Sequence, residues 1–463
     1  MGLTETLTGH VVGPHSPEYA AARLDNNRRF DKFPRYIDFC LTVEDVANAV
    51  LWSRAHGLPL RARSGRHSYE AYSIVNGGVV IDVSPLHGVE LDAARGTARI
   101  GAGADLGRIY DALWDQGRVT IPGGGCTGVG IAGLALGGGF GFLTRLHSLT
   151  CDSLVELEMV DADGRLVRAD AGTRADLFWA SRGGGGGNFG VNTAFTFSVV
   201  PVDQVTVLRV VWPWATIRAV FAAWQAWADP TGLDPRLTPI LLLPAESAGY
   251  ISVIGEFVGP APELRRLLAP LLRAAVPTDV KVVYEPYIDA VHRFVGRATT
   301  QDGPHRWAAD RPTDPGLDRF KNTSAFQFEP FDALAVETMI AHLRAAPSPH
   351  AEVQFNLHGG AEAKVPPQTA AYPWRGARCS LQYQAYWSRA GEGPALIRWV
   401  DGFRRAMQPF TRGAYINYID DDIGDWPTAY YGGNLGRLVA VKHAYDPRNV
   451  FDFPQGLGRV CLA

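Results

Sequence analysis

The 463-residue sequence predicts an α+β protein of more than one domain. Its length exceeds what one hydrophobic core normally supports, so two or three domains are expected. Helix-spaced apolar residues and short strand-like runs are interspersed through the first 200 residues. After Pro201 the character of the chain shifts.

Taken in order, Thr42 to His56 places Val43, Val46, Ala47, Val50 and Leu51 at helical spacing, and Pro59 to Arg63 leads from that helix into a loop. Gly78 to Val83 and Ala98 to Gly101 read as strands. Leu154 to Val160, the turn residues Asp161-Ala162-Asp163-Gly164, and Leu166-Val167 read as a hairpin. Beyond Pro201, Val205 to Trp212 is strand-like, Trp214 to Trp227 helix-like, and Ile251 to Val258 alternates as a sheet strand does. The pairs Gly359-Gly360 and Pro366-Pro367 mark loops.

A hydrophobic content of 46% is ample for burial, and a formal charge of −3 gives no electrostatic reason to expect nucleic acid or an anionic membrane surface. Cys40, Cys126, Cys151, Cys379 and Cys461 are too scattered for a disulfide scaffold or a paired zinc site, so no metal is expected. The opening residues lack a basic region followed by an apolar run, and no stretch approaches the roughly 18 apolar residues of a membrane helix. A cytoplasmic small-molecule enzyme of unspecified oligomeric state is the expectation.

Two reactive side chains stand beside glycine-rich turns: His67 in Arg63-Ser64-Gly65-Arg66-His67-Ser68-Tyr69, and Cys126 in Gly123-Gly124-Gly125-Cys126-Thr127-Gly128-Val129-Gly130. Alone, such a histidine reads as a loop residue and such a cysteine as a small hydrophobe. The clusters Gly133 to Gly141 and Gly183 to Gly190 change the weighing, because they adjoin apolar segments such as Val191 to Val200 and so belong to a packed region. Glycine loops expose backbone N–H groups and let phosphates approach the main chain, while an imidazole and a thiol can attack an electrophilic flavin ring. His67 and Cys126 therefore read as two covalent anchors for one FAD.

These motifs, with Asn417-Tyr418, Tyr430-Tyr431-Gly432, Asn434, Arg437-Leu438, Val441-Lys442, Tyr445-Asp446-Pro447, Asn449-Val450-Phe451 and Gln455, resemble the berberine bridge enzyme-like group of the vanillyl alcohol oxidase superfamily over nearly the whole chain. The resemblance is to members with doubly attached flavin, glucooligosaccharide oxidases and aclacinomycin oxidoreductases among them. It implies a two-part FAD-binding domain (residues 1–200 and 412–463) around a substrate-binding α+β domain with an antiparallel sheet (201–411). By it, His67 carries the 8α link and Cys126 the 6-S-cysteinyl link. Arg63, Ser64, Gly65, Arg66, Ser68, Gly125, Thr127, Val129, Gly130, Gly133, Gly137, Gly138, Gly141, Gly190, Val191, Asn417 and Tyr418 complete the cofactor site. Where the group often has glycine before the histidine, this chain has Arg66, which is expected to take a non-glycine backbone and either to face the pyrophosphate or to reach solvent.

The resemblance further implies Tyr418 as the base that takes the substrate's hydroxyl proton, with Tyr69, Gln354 and Gln384 lining the substrate pocket and Trp387 nearby. A free phenol has a pKa near 10, so Tyr418 needs help to ionise. Asn356 stands where an aspartate assists in the oligosaccharide oxidases, and an amide cannot accept that proton, so Arg, Lys or the flavin must lower the tyrosine or the chemistry differs. The expected activity is oxidation of a hydroxyl-bearing or similarly activated carbon of a bulky metabolite. Molecular oxygen is the expected acceptor, which the Val129 position favours, and hydrogen peroxide the by-product. A carbohydrate oxidase making lactones, or a redox-neutral flavin-dependent cyclase, are the alternatives.

Overall fold

Residues 36–82 form a parallel strand–helix–strand unit whose outlet is the His67 loop. In the computed structural model, which describes residues 6–295 and 317–460, Tyr36–Phe39 and Leu60–Arg63 flank Val79–Asp82 and run parallel to it. Antiparallel His10–Val12 completes a four-stranded sheet. The connecting helix Val43–Ala55 begins where expected because Thr42 and Asp45 cap each other: Oγ1 of Thr42 accepts from the Asp45 amide at 3.2 Å and Oδ2 of Asp45 from the Thr42 amide at 2.9 Å. Cys461 and the first five residues lie outside the described part of the chain.

A second, antiparallel sheet orders Val89–Asp92, Thr97–Gly101, Val191–Ser198, Leu154–Val160 and Leu166–Asp170. Its last two strands are the hairpin expected from the sequence, with Asp161 Oδ1 accepting from the amides of Asp163 and Arg165. A seven-stranded antiparallel sheet then draws all its strands from Gln204 to Trp387, in the order Asp279–Pro286, Gln204–Pro213, Tyr250–Phe257, Leu237–Pro244, Ala351–Leu357, Cys379–Trp387, Arg319–Gln327. The expected helix after Trp212 starts as a 3-10 turn, Trp214–Thr216, before Ile217–Trp227.

The large sheet has two unlike faces. Leu241, Leu243, Val353, Phe355, Leu381 and Tyr383 pack with Trp224, Leu268, Ile340 and Phe403 of the covering helices. The alternate positions Glu352, Gln354, Asn356, Gln382 and Gln384 are buried and polar and are turned to the other face by the period-two geometry of strands. The C-terminal residues Ile416, Ile419, Tyr430, Tyr431 and Leu438 join the core of the first two sheets, so the chain returns to where it began. Among the described residues no helix is long and apolar enough to cross a membrane.

Several carboxyls are enclosed in this interior. Burial pushes Glu256 up to about 8, with Glu285 adding to it, and Asp38 up to about 7, with Asp45 adding to it. Such acids bind their proton more tightly folded than unfolded, so stability is full below their ordinary pKa and is lost as pH rises through the raised value. Glu256→Gln is therefore expected to raise the thermal midpoint at about pH 9 and to leave it nearly unchanged at about pH 5, read by melting curves at the two pH values.

Candidate active site

The His67 and Cys126 loops lie back to back because glycines let them. A Cβ on Gly65 would sit 2.2 Å from the amide nitrogen of Gly130, and one on Gly130 would sit 2.4 Å from Ser64 Oγ. His67 is hydrogen-bonded to the backbone of Gly128, and burial lowers its pKa to about 4. The imidazole is thus neutral at physiological pH, the form that can act as a nucleophile. Both His67 and Cys126 line one cavity of about 320 Å³, with Arg63, Ser64, Gly65, Arg66, Ser68, Tyr69, Gly125, Val129, Gly130, Gly133, Gly141, Gly190, Val191, Asn356, Gln384, Asn417 and Tyr418.

Five expected residues are not on that wall. The Thr127 carbonyl accepts from the Gly107 amide. Gly137 makes room for the Asn417 side chain, whose oxygen a Cβ there would meet at 2.0 Å, and Gly138 lies against the Tyr372 ring. Gln354 donates to Glu352 Oε1 at 2.9 Å, and Trp387 packs into the helix-covered core.

Arg66 requires a correction. Its φ is +62°, in the left-handed region, so the position keeps the conformation a glycine would prefer at a cost of roughly 1–2 kcal/mol. Arg66 lines the cavity, and its guanidinium is 3.7 Å from Asp82.

The wall carries polar atoms that the protein leaves unmatched. Arg63 donates through Nε to Asp82 at 2.6 Å, while its Nη1 and Nη2 are buried without a partner among the described residues. Asn356 and Asn322 also line the cavity, and Nδ2 of the first and Oδ1 of the second have no partner among the described residues. Buried polar atoms normally find partners, so a cavity holding several orphans suits a polar ligand. Two unpaired guanidinium nitrogens beside glycine loops match a pyrophosphate, and a neutral imidazole beside a thiol matches a flavin ring. The residues fit FAD.

At the other end Tyr69 and Tyr418 stack, their rings 5.4 Å apart and 7° from parallel. Gln382 donates to the Tyr69 hydroxyl at 3.0 Å. Asn322 donates to the Tyr386 hydroxyl, which donates to Gln384, and Gln384 donates to Glu352. The strongest influences on Tyr418 do not supply the help expected for its ionisation. Burial pushes its phenol well up, and the groups acting on it most, Tyr69, Tyr415, Cys126 and Tyr386, push the same way.

Sequence reading missed the group that assembles this end. Lys321, buried on the edge strand Arg319–Gln327, directs Nζ to Glu70 Oε1 at 3.4 Å, Asp421 at 3.1 Å, Asp401 at 3.7 Å, and to Asp420. Glu70 follows Tyr69, and Asp420 lies two residues after Tyr418. The acceptor oxygens of Glu70, Asp420 and Asp421 lie within 4.8 Å of one another, a cation-site spacing whose positive charge Lys321 supplies. Burial disfavours the ammonium, but Glu70, Asp420 and Asp401 together outweigh it and hold its pKa above the usual lysine value.

Residues 34–170 match the family described as FAD binding domain, and residues 414–458 the one described as berberine and berberine like. The chain is 39% identical to the FAD-linked oxidoreductase YgaK of Bacillus subtilis, over 97% of both proteins. Among solved structures it is similar to BBE-like 1 of Physcomitrella patens, at 31% identity with a TM-score of 0.87 over 97% of each chain. It is also similar to the glucooligosaccharide oxidase of Acremonium strictum, which carries 6-S-cysteinyl, 8α-N1-histidyl FAD, at 25% identity with a TM-score of 0.87 over 98% of this chain and 97% of that one.

Removing one partner of a buried ion cluster leaves uncompensated charge, at about 3–5 kcal/mol. Lys321→Met is expected to lower stability by that order, read by denaturant unfolding. From its sequence and its fold together, the chain belongs to the berberine bridge enzyme-like family of FAD-linked oxidoreductases.

Proposed function

We propose that this protein is an oxidase with doubly attached FAD, His67 at the 8α position and Cys126 at C6, acting on a hydroxyl-bearing carbon of a bulky metabolite. The observation that carries the reading is the meeting of His67 and Cys126, from two interlocked glycine loops, on one cavity that ends at the Tyr69–Tyr418 pair. Bound there, FAD supplies a two-electron acceptor. Arg63 and the glycine loops would hold the pyrophosphate, and Tyr418 would hold the hydroxyl of the substrate. Oxygen is the proposed electron acceptor, with Val129 on the cavity wall beside the Cys126 loop.

The amides of Asn322, Asn356, Gln382 and Gln384 on the wall favour a substrate with several hydroxyls. A glycosylated or polycyclic natural product modified late in its assembly fits this wall, as does a free oligosaccharide oxidised at its end. Peroxide formation across a panel of oligosaccharides and glycosylated aromatics separates the two.

Acid-precipitated protein is expected to stay yellow, with flavin mass on the peptides containing His67 and Cys126. Cys126→Ala should keep flavin on the His67 peptide alone, whereas a colourless pellet with both peptides unmodified overturns the assignment. Tyr418→Phe is expected to keep the flavin and to slow its reduction by substrate about ten- to hundredfold, the worth of one well-placed hydrogen bond in the reacting complex.

A further inference from the structure

The Cys126 loop is gripped by one helix, Leu106–Gly117. The first two amides of that helix, those of Leu106 and Gly107, donate to the carbonyls of Val129 at 3.0 Å and Thr127 at 2.9 Å. One turn further on, the Tyr110 hydroxyl donates to the carbonyl of Gly124 at 2.6 Å. The opening amides of a helix have no partner within it, so they are free to hold a neighbouring loop. The three acceptors bracket Cys126: Gly124 precedes it, and Thr127 and Val129 follow it.

The grip matters most on the side before Cys126. There the chain runs Gly123-Gly124-Gly125, with no side chain to restrict it or to pack it in place. Beyond Cys126 the loop is closed by its own bond, from the Val129 amide to the Cys126 carbonyl at 3.2 Å, and by the close approach of Gly130 to Gly65. Gly124 and Gly125 also line two cavities at once, the large one and a second of about 20 Å³ that they share with Tyr110, Glu256, Tyr287 and Val291. A space of that size holds about one water molecule. The glycine run is therefore not backed by solid packing, and the Tyr110 hydroxyl ties it to the helix.

Tyr110 is itself well fixed. It is buried, its ring stands edge-on to that of Tyr287 at 6.2 Å between centroids, and a Cβ on Gly123 would sit 2.4 Å from its hydroxyl oxygen. Burial pushes the phenol well up, with Tyr287, Glu256 and Cys126 adding to the push, so the group keeps its proton and donates it.

We propose that Tyr110 is a positioning residue for the second flavin link: by holding Gly124 it aims the Cys126 sulfur at C6 of the bound ring. The inference rests on the double-attachment reading above. In the step, the sulfur bonds to C6 in place of hydrogen. The thiol proton, the C6 proton and two electrons leave, and oxygen takes them up as hydrogen peroxide. Bond formation of this kind needs the reacting atoms about 3–3.5 Å apart and aligned, so a small retreat of the loop slows it. His67 leans instead on the backbone of Gly128, on the side of the loop that the helix amides hold. Loss of the Tyr110 hydroxyl should therefore spare the His67 link.

The test counts flavin mass on the two peptides, so the His67 link is the reference within each molecule. Cells making wild-type or Tyr110→Phe protein are quenched in acid at intervals after a short pulse of synthesis. In the wild type both peptides are expected to gain flavin. In Tyr110→Phe the His67 link should keep its pace while the Cys126 link falls behind about two- to tenfold, the worth of one hydrogen bond. Hydrogen–deuterium exchange of the purified variant should quicken around Gly124 and stay unchanged in the helix Leu106–Gly117. A Cys126 link that keeps pace in Tyr110→Phe, or exchange around Gly124 that does not change, overturns the proposal. Equal delay or loss of both links marks general loosening and overturns it too. A wild-type Cys126 peptide without flavin overturns the double-attachment reading and this proposal with it, whereas a doubly linked wild type beside an unaffected variant overturns this proposal alone.

Discussion

The active end of this molecule depends on one buried ammonium. Lys321 stands on the edge strand of the large sheet and is met by carboxylates from the loop after His67, the segment after Tyr418, and the helix Gly393–Met407. Three distant stretches of chain thereby converge on one charge, and desolvation makes the arrangement intolerant of a missing member. Asn27 reinforces it, donating to the carbonyls of both Tyr69 and Phe320 at 3.0 Å. The two stacked phenols are therefore held by both sheet systems at once. A cavity lined by two sheet systems gains its fixed geometry from this kind of cross-tie, since loops alone hold such geometry poorly.

The cavity reads as a division of labour between its two sides. The glycine loops supply close approach and unpaired donors, which suit phosphate and a flat ring. The polar face of the seven-stranded sheet supplies amides and phenols, which suit hydroxyl groups. Its opposite face is apolar and closed by helices, so the amides are pre-oriented by a rigid support, and a substrate meets them with little further ordering.

The electrostatics run against the ionised form expected of Tyr418. Burial among rings keeps Tyr418 protonated and therefore a hydrogen-bonding group.

Much of the site was legible in the residue order, because glycine runs, a histidine and a cysteine in fixed spacing, and a distinctive C-terminal series are local features. The helix Val43–Ala55, the hairpin at Asp161–Gly164 and most cavity-lining residues around His67 and Cys126 follow from such patterns. Lys321, Glu352 and the hydrogen-bonded His358–Glu362 pair were hidden for the opposite reason. A lysine in an edge strand and a histidine before two glycines look ordinary until partners 80 to 251 residues away, or a left-handed turn, bring charge against them. Arg66 is the converse case: its type argued against a positive φ, and packing imposed one. Local chemistry and chain reversal are written in neighbouring residues, whereas the partners of a buried charge are chosen by which segments the fold brings together, since its energy depends on the whole surrounding shell.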